Sequence, residues 1–590
     1  MCGIFAYIGF DAVAHSLTGL KKLEYRGYDS AGIAYLADQL HSKKAVGKIQ
    51  VLEDQFSTIP MSKCAVAHTR WATHGKVTKE NAHPHLDTNQ TLALVHNGII
   101  ENHHEIKQDL TQIFQSQTDT ECVVHLIDTL NEEDLLEAIC EAIKQLKGAF
   151  AIVLISKDHP ETLFAFCHET TLAVGLGKNR VCIASDPHAF DTSIEKVTFL
   201  DDGQIAKLSV KELYFYDQNL KEVQKVFKSF DLPTIELSKE GFEHFMLKEI
   251  FEQPQSLKYT FSERIDFKNK RVLPFLEHID LASFDKFLFL GCGSSFFASL
   301  VGKYLFQTTG KEVEVELASE FRYQNRELGK KTLTIAISQS GETADLLAAC
   351  ELVKKQQGKI LAICNVQGSQ LTRKVDEVLL LRCGPEIGVA STKAFLSMLG
   401  AILLLSLQLK PDSKLIEELQ HLPLLLESIL DRQDEIAQLA KQFVQYDRFF
   451  YLGRHLTYPM ALEGALKLKE IAYVFTEALA AGEMKHGPIA LIDDRIPTIA
   501  YLCNQHTFLK MRSNLMEIKA RGGKILAITE KNIGDLDECI DAIFTLPKCD
   551  DRIAIFLATL FSQLFAYSFA KEKHCEIDKP RNLAKSVTVE

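Results

Sequence analysis

The sequence predicts a multidomain protein of mixed class, a largely antiparallel α+β part followed by parallel-sheet α/β domains. Three observations carry that expectation. The chain has 590 residues and a mass of 66.3 kDa, so at roughly 150 residues per domain it should divide into about three or four packed units. Up to about Phe230 the apolar runs are short and separated by Gly, Asn and Asp. Beyond Asp231 apolar strands alternate with long amphipathic helices.

In the first part, Cys64–His68, Leu92–His96, Ala149–Ile155 and Val181–Ala184 read as strands, spaced as in stacked antiparallel sheets. Helical periodicity runs over Glu121–Leu130 and Leu135–Leu146. Leu232 to Gly241 reads as a linker entering a helix over Phe242–Phe251. Strands follow at Phe287–Leu290, Leu333–Ile337, Ile360–Ile363 and Val378–Leu381. A second set is expected at Arg448–Leu452, Pro497–Tyr501, Lys524–Ile528 and Ala542–Leu546. Such alternation implies parallel sheets with helices on both faces. Both sets open on a strand ending Leu-Gly (Leu290-Gly291 and Leu452-Gly453) that runs into a helix, a weak similarity suggesting two copies of one unit. The expected boundaries are 2–230, a linker over 231–250, then 251–430, 431–580 and a tail over 581–590.

Composition excludes several classes. Hydrophobic residues make up 46% and charged residues 24%, ordinary for a globular protein. A net charge of -12 and the absence of a basic block argue against nucleic acid as a partner. The 14 cysteines form no Cys-x-x-Cys pair, against a zinc ribbon or thioredoxin-like site and in favour of buried thiols in a reducing compartment. The apolar stretch Ala401–Leu409 is too short to span a bilayer, and no basic segment with an apolar core opens the chain. A cytoplasmic protein with no membrane partner is therefore expected.

The chain opens Met1-Cys2-Gly3-Ile4. Removal of Met1 would leave Cys2 with a free α-amine, whose pKa of about 7.7–8.0 lets it accept the thiol proton near neutrality. Arg70, in His68-Thr-Arg-Trp-Ala-Thr-His-Gly75, offers a planar fork for a carboxylate. His96-Asn-Gly98 follows an apolar strand, where an amide side chain and a backbone N–H can form an oxyanion hole. Thr118-Asp-Thr-Glu121 precedes a helix. Thr118 or Thr120 reads best as a helix cap, and Asp119 equally as a partner for an ammonium. His83-Pro-His85 and His103-His104 lack a third ligand at zinc-like spacing and read as structural or pocket histidines.

Together with Cys2-Gly-Ile-Phe and Glu24-Tyr-Arg-Gly-Tyr-Asp-Ser-Ala-Gly32, these segments resemble the class II glutamine amidotransferases. The resemblance implies an N-terminal-nucleophile fold with αββα layers and Cys2 as nucleophile. It further implies Asn97 and Gly98 as oxyanion hole, and Arg70, Thr73, His74 and Asp119 as the glutamine pocket. Trp71 would gate the path of ammonia.

In the second part, Ser338-Gln-Ser-Gly-Glu-Thr343 follows a strand and leads into a helix at about Ala344. Hydroxyls and N–H groups at a helix N-terminus suit a dianionic phosphate, and one helix cap does not account for three hydroxyls around a glycine. Gly291-Cys-Gly-Ser-Ser295 is a second turn at a strand end, where ligands sit in open α/β sheets. No third glycine completes a dinucleotide fingerprint and no P-loop occurs, so a nucleotide cofactor is not expected.

These segments resemble sugar isomerase domains, the phosphosugar-binding doubly wound fold, in tandem. Supporting runs are Phe321-Arg-Tyr, Glu386–Phe395, Ala461–Glu470, Ala481–Pro488 and Arg581–Glu590. Joined to a glutaminase half, the resemblance implies glutamine-dependent amination and isomerisation of fructose 6-phosphate, with ammonia channelled between the halves and no cofactor. Ser295, Ser338, Gln339, Ser340, Thr343, Val389, Lys467 and Ala584 would bind the sugar phosphate, and Lys585 would form a Schiff base with the open-chain ketone. Glu470 would move a proton between C1 and C2. His486, supplied by the second subunit of a homodimer, would open the ring. On periodicity alone Lys467 and Glu470 read as a surface ion pair, and Lys585 as a solvated tail lysine. Two other readings are a glutaminase joined to a phosphoribosyl-transferase or synthetase, and a non-catalytic phosphosugar sensor. Cys2 in its setting and the Lys585 segment argue against the sensor.

Overall fold

The computed structural model describes residues 2–72, 74–229, 238–530 and 539–588. The chain divides into two compact units, Met1–Ser238 with Ala584–Glu590, and Lys239–Leu583.

In the amino-terminal unit the strand Gly3–Ile8 lies between Cys64–Arg70 and Arg180–Ala184, antiparallel to both, inside an eight-stranded sheet. Its residues are buried on both faces because each face is covered. Ile4, Ala6 and Ile8 pack with Val66, Val95 and Val153 between this sheet and a six-stranded one. Phe5 and Tyr7, one pleat over, meet Leu17 of the helix Ala12–Lys22. The helices Thr120–Leu130 and Leu135–Gln145 cover the outer face of the six-stranded sheet with Val123, Ile127 and Ile139. The layers are αββα, and the expected strands and helices fall within a residue or two of their places.

The carboxy-terminal unit holds two five-stranded parallel sheets of one topology. The first runs Glu312–Leu317, Lys286–Gly291, Thr332–Ser338, Lys359–Cys364, Glu377–Leu380; the second runs Phe475–Ala480, Arg448–Gly453, Thr498–Tyr501, Ile525–Thr529, Ala542–Thr545. The duplication suggested by the two Leu-Gly strand ends is thus real. In each of these two sheets one strand escapes sequence reading, Glu312–Leu317 and Phe475–Ala480, and each forms the edge of its sheet. The helix expected from Phe242 begins at Phe245. Apolar side chains of both sheets merge into one core with the helices Lys393–Leu409 and Asp551–Glu572. Among the described residues only Asp551–Glu572 is long and apolar enough to cross a membrane, with mean hydropathy 1.8, yet 94% of that apolar window is buried inside the protein. It is a core helix.

Candidate active sites

Cys2 enters the central strand of its sheet, and the turn after Cys64–Arg70 folds over it. The Trp71 N–H donates to Cys2 Sγ at 3.2 Å, and the thiol faces the Trp71 carbonyl at 3.5 Å. The Trp71 ring stands edge-on to Tyr28 at 6.2 Å. Burial pushes the Cys2 thiol up, while the amino-terminal charge, the Trp71 N–H and Arg70 pull it down. A base beside the thiol is therefore needed for reaction at neutral pH.

Asn97 is the last residue but one of the strand Leu92–Gly98, and its Nδ2 donates to the Cys2 carbonyl at 3.0 Å. His68 fixes which way that amide points. Its Nε2 lies 2.9 Å from the His96 carbonyl and 3.1 Å from Asn97 Oδ1. Both are acceptors, so Nε2 carries the proton and the amide NH2 is turned towards Cys2. Burial pushes the His68 pKa down to about 3, keeping the ring neutral. Sequence reading passed over His68, whose role needs the two strands brought together. Gly98 has φ 125°, and a Cβ there would lie 2.0 Å from the Ala149 carbonyl, so only glycine fits.

Arg70 is buried and turns its guanidinium on the carbonyls of His74, Gly75 and Lys76. It orders the loop in which His74 lies; Thr73 lies outside the described residues. Asp119 is buried, accepts from the Ile100 N–H at 2.8 Å and lies 4.0 Å from His96 Nδ1. The capping reading of Thr118 and Thr120 is corrected. Thr118 Oγ1 pairs with His85 Nε2 at 3.0 Å, and Thr120 Oγ1 with His96 Nδ1 at 2.9 Å and His83 Nε2 at 3.2 Å. These hydroxyls satisfy buried histidines instead, because a buried unpaired imidazole is costly. His68 and His83 stack at 4.1 Å. Burial holds both, with His85 and His96, below the ordinary histidine pKa. Among the described residues no cluster suits a metal.

Arg26 anchors the neighbouring wall through a 2.7 Å ion pair with Asp186, which also accepts from Tyr25. Burial opposes the Asp186 charge, but Arg26 and His188 hold it well below the usual carboxylate range. Next door, Ser185 Oγ accepts from the Ile4 N–H at 3.1 Å, tying this wall to the Cys2 strand.

In the carboxy-terminal unit the hydroxyl turn sits between the strand Thr332–Ser338 and the helix Ala344–Lys355. The Gly341 N–H donates to Ser338 Oγ at 2.9 Å and the Glu342 N–H to Ser340 Oγ at 3.2 Å. The Ser338 and Thr343 hydroxyls are 3.3 Å apart. Gly341 has φ 67°, and a Cβ there would meet Ser369 Oγ at 2.1 Å. Thr343, at the helix N-cap, makes no side-chain capping bond. The Gln339 carbonyl accepts from the Asn365 N–H, and Ser295 Oγ faces Met398 Sδ at 3.8 Å. The Val389 N–H donates to the Asp578 carbonyl at 3.1 Å, while the Asp578 carboxylate accepts the N–H groups of Phe245 and Met246. His486 is exposed at the end of the 3-10 turn Ala481–His486. Ala584 and Lys585 are half-buried and group with the amino-terminal unit.

Replacing Ser340 and Thr343 together by Ala should weaken sugar-phosphate binding. Hydrogen bonds to a charged group contribute about 1.5–3 kcal/mol each, so calorimetry with fructose 6-phosphate should show a loss of at least about tenfold per residue.

The surface-pair reading of Lys467 and Glu470 is also corrected. Lys467 is wholly buried, with Glu470 at 2.7 Å, Glu463 at 3.3 Å and Ser294 Oγ at 3.4 Å. Glu463 is a third member that sequence reading missed, although 463, 467 and 470 share one helical face. Burial, with Glu470 nearby, pushes Glu463 up to about 7, against the pull of Lys467 and Ser294. Burial opposes the Lys467 charge, but the two carboxylates outweigh it and hold its pKa above the usual lysine value. A carboxyl raised in the folded state takes its proton there before it does in the unfolded chain. Glu463 should therefore add stability as pH falls from about 7 towards its ordinary value near 4.5. The Glu463→Gln variant should show a smaller rise in urea midpoint between pH 7.5 and pH 5 than the parent; equal rises would place the titration elsewhere.

Fold and sites define a glutamine amidotransferase joined to paired sugar isomerase modules. Family models agree: a glutamine amidotransferase domain matches residues 68–192, and a SIS domain matches residues 280–407 and again 442–572. An aminotransferase of Bacteroides thetaiotaomicron named glutamine–fructose-6-phosphate aminotransferase (isomerizing) is 42% identical over 614 residues. A relative of the same name from Methanosarcina acetivorans is 40% identical over 620 residues; both alignments span 100% of each chain. The solved C-terminal domain of glucosamine-fructose-6-phosphate aminotransferase from Francisella tularensis is 35% identical. It covers 58% of this chain and 99% of its own, with a TM-score of 0.55. The chain belongs to the glutamine–fructose-6-phosphate aminotransferase (isomerizing) family.

Proposed function

We propose that the protein transfers the amide nitrogen of glutamine to fructose 6-phosphate and isomerises the product, giving glucosamine 6-phosphate and glutamate. The observation that carries this reading is end-to-end similarity, at 40–42% identity, to the aminotransferases in a chain that holds both the Cys2 site and the Ser338–Thr343 turn.

After removal of Met1, the α-amine of Cys2 takes the thiol proton and the thiolate attacks the glutamine carboxamide. Asn97 Nδ2 and the Gly98 N–H stabilise the oxyanion, while Arg70, Thr73, His74 and Asp119 hold the amino-acid end. Ammonia leaves, and water hydrolyses the thioester to glutamate. Because ammonia in water near neutrality is mostly protonated, a closed path gated by Trp71 keeps it nucleophilic.

Fructose 6-phosphate places its phosphate on Ser338, Gln339, Ser340 and Thr343, with Ser295, Val389 and Ala584 around the sugar. His486 of a second subunit opens the ring, and Lys585 forms the Schiff base at C2 with loss of water. Ammonia then adds at C2 and displaces Lys585 to leave the free imine, and Glu470, oriented by Lys467, carries the proton from C1 to C2, giving an aldehyde at C1 and an amine at C2. We also propose a homodimer in the cytoplasm, with domains over 2–230, 251–430 and 431–580, a linker over 231–250 and a catalytic tail over 581–590. The test is glucosamine 6-phosphate formation from glutamine and fructose 6-phosphate with no nucleotide added. Glutamate release without amino sugar would refute the reading.

A further inference from the structure

The two parallel sheets can be superposed residue by residue through their pairing. Leu290 stands beside Ala336 in the first sheet, and Leu452 beside Ala500 in the second. Carried along the chain, this register sets Ser338 against Leu502, Ser340 against Asn504, Gly341 against Gln505 and Glu342 against His506. It also sets Lys467 against Leu305 and Glu470 against Thr308. The second sheet thus has its own strand-end crevice, facing the helix Ser294–Gln307 as the first faces Thr457–Ala472.

That crevice is a cavity of about 1090 Å³, and Leu305, Thr308, His455, Asn504 and His506 are among its walls. It lies where open α/β sheets bind ligands, outside the carboxyl ends of strands that run to opposite sides. The register gives a further mark. His455 takes the place of Gly293, and both have φ 54°. Positive φ is uncommon outside glycine, and the two turns use it at the same register position.

We propose that this cavity is a second phosphosugar site, one that holds its ligand without converting it. The inference rests on the reading of Ser338–Thr343 and Glu470 as the sugar site, since it is built by comparison with them. Conversion is lost because Glu470 and Lys467 have the inert counterparts Thr308 and Leu305. Of the hydroxyl cradle only the counterpart of Thr343, Thr507, remains, and its hydroxyl is turned onto Asn504, so a phosphate here needs other side-chain donors. His455, His506 and Lys548 line the cavity and supply them, with Lys410 beside them, its ammonium donating to the Thr308 carbonyl at 2.8 Å. The acids of the wall are already engaged. Arg552 pairs with Asp412 and Asp550, Glu418 accepts from the Asp550 N–H, and Asp551 from the Gln505 N–H. Among the described residues no salt bridge draws Lys548 away.

Calorimetry of the full chain with glucosamine 6-phosphate tests this. The wild-type protein should bind two equivalents per chain. His455→Gly with His506→Ala should weaken one site at least tenfold and spare the other; glycine suits the left-handed turn, so the fold should hold. Lys548→Ala alone should weaken the same site. Ser340→Ala with Thr343→Ala should weaken the other site only. A single equivalent, lost with the Ser340 and Thr343 pair and indifferent to His455 and His506, overturns the proposal and leaves the assigned sugar site intact. A single equivalent lost only with the histidine pair overturns that assignment and keeps the proposal. Two equivalents that ignore both histidines and Lys548 overturn it as well.

Discussion

Cys2→Ala should abolish glutamine hydrolysis, with glutamate release falling by more than about 10³-fold, as expected when a covalent nucleophile is removed from an otherwise intact site. The fold should survive, because Cys2 precedes the first strand and, among the described residues, its thiol hydrogen-bonds only with the Trp71 backbone. Synthesis from glutamine should stop with it, and high free ammonia should restore it only weakly. Mass spectrometry of the wild-type protein should find Cys2 as the first residue, since the proposed base is its own α-amine. Retained glutaminase turnover in Cys2→Ala would remove Cys2 from the mechanism. A protein that keeps Met1 yet works at full rate would require another base.

The fold was legible where burial is symmetrical. Strands such as Leu333–Ile337 and Ile360–Ile363 are covered on both faces, so they read as near-continuous apolar runs. Glu312–Leu317 reads Glu-Val-Glu-Val-Glu-Leu, and with one neighbour only it stays partly exposed. A reading tuned to apolar runs passes over such an edge. The helix Asp551–Glu572 is buried around almost its whole circumference, its polar Thr559, Ser562 and Gln563 included, because both sheets' modules pack on it.

At the sites, sequence gave residue types, and pairing between distant strands set their use. Asn97 and Cys2 are brought together only when the strands Leu92–Gly98 and Gly3–Ile8 lie in facing sheets. The same assembly turns His68 from an unremarked neighbour of Arg70 into the group that orients the Asn97 amide. Thr118 and Thr120 misled because a helix start favours a capping reading, while the buried histidines opposite were invisible. Lys467 misled in the other direction. Charged residues three and four apart signal a solvated face unless the facing element is known, and here the face is buried against Ser294. Glu463 was within reach of periodicity, but only its burial singles it out.

Lys585→Arg should abolish glucosamine 6-phosphate synthesis, by more than about 10³-fold, while basal glutamine hydrolysis persists. Arginine keeps the charge and most of the length, but its guanidinium stays protonated and cannot attack a ketone, whereas a lysine amine can. Loss with arginine therefore points to covalent chemistry rather than electrostatics. Borohydride reduction of the wild-type protein with fructose 6-phosphate should leave a hexitol phosphate on Lys585, found by peptide mass spectrometry, and none on the arginine variant. Deleting residues 581–590 asks the complementary question. Exposed termini are usually expendable, but Ser586 is buried and Arg581 is held by Tyr473, so this tail is packed rather than loose. Truncation should remove synthesis and the stimulation of glutaminase by sugar phosphate, and circular dichroism should still report a folded protein. Normal synthesis by Lys585→Arg would refute the covalent role. An arginine variant that is inactive but still trapped elsewhere by borohydride would move the Schiff base to another lysine.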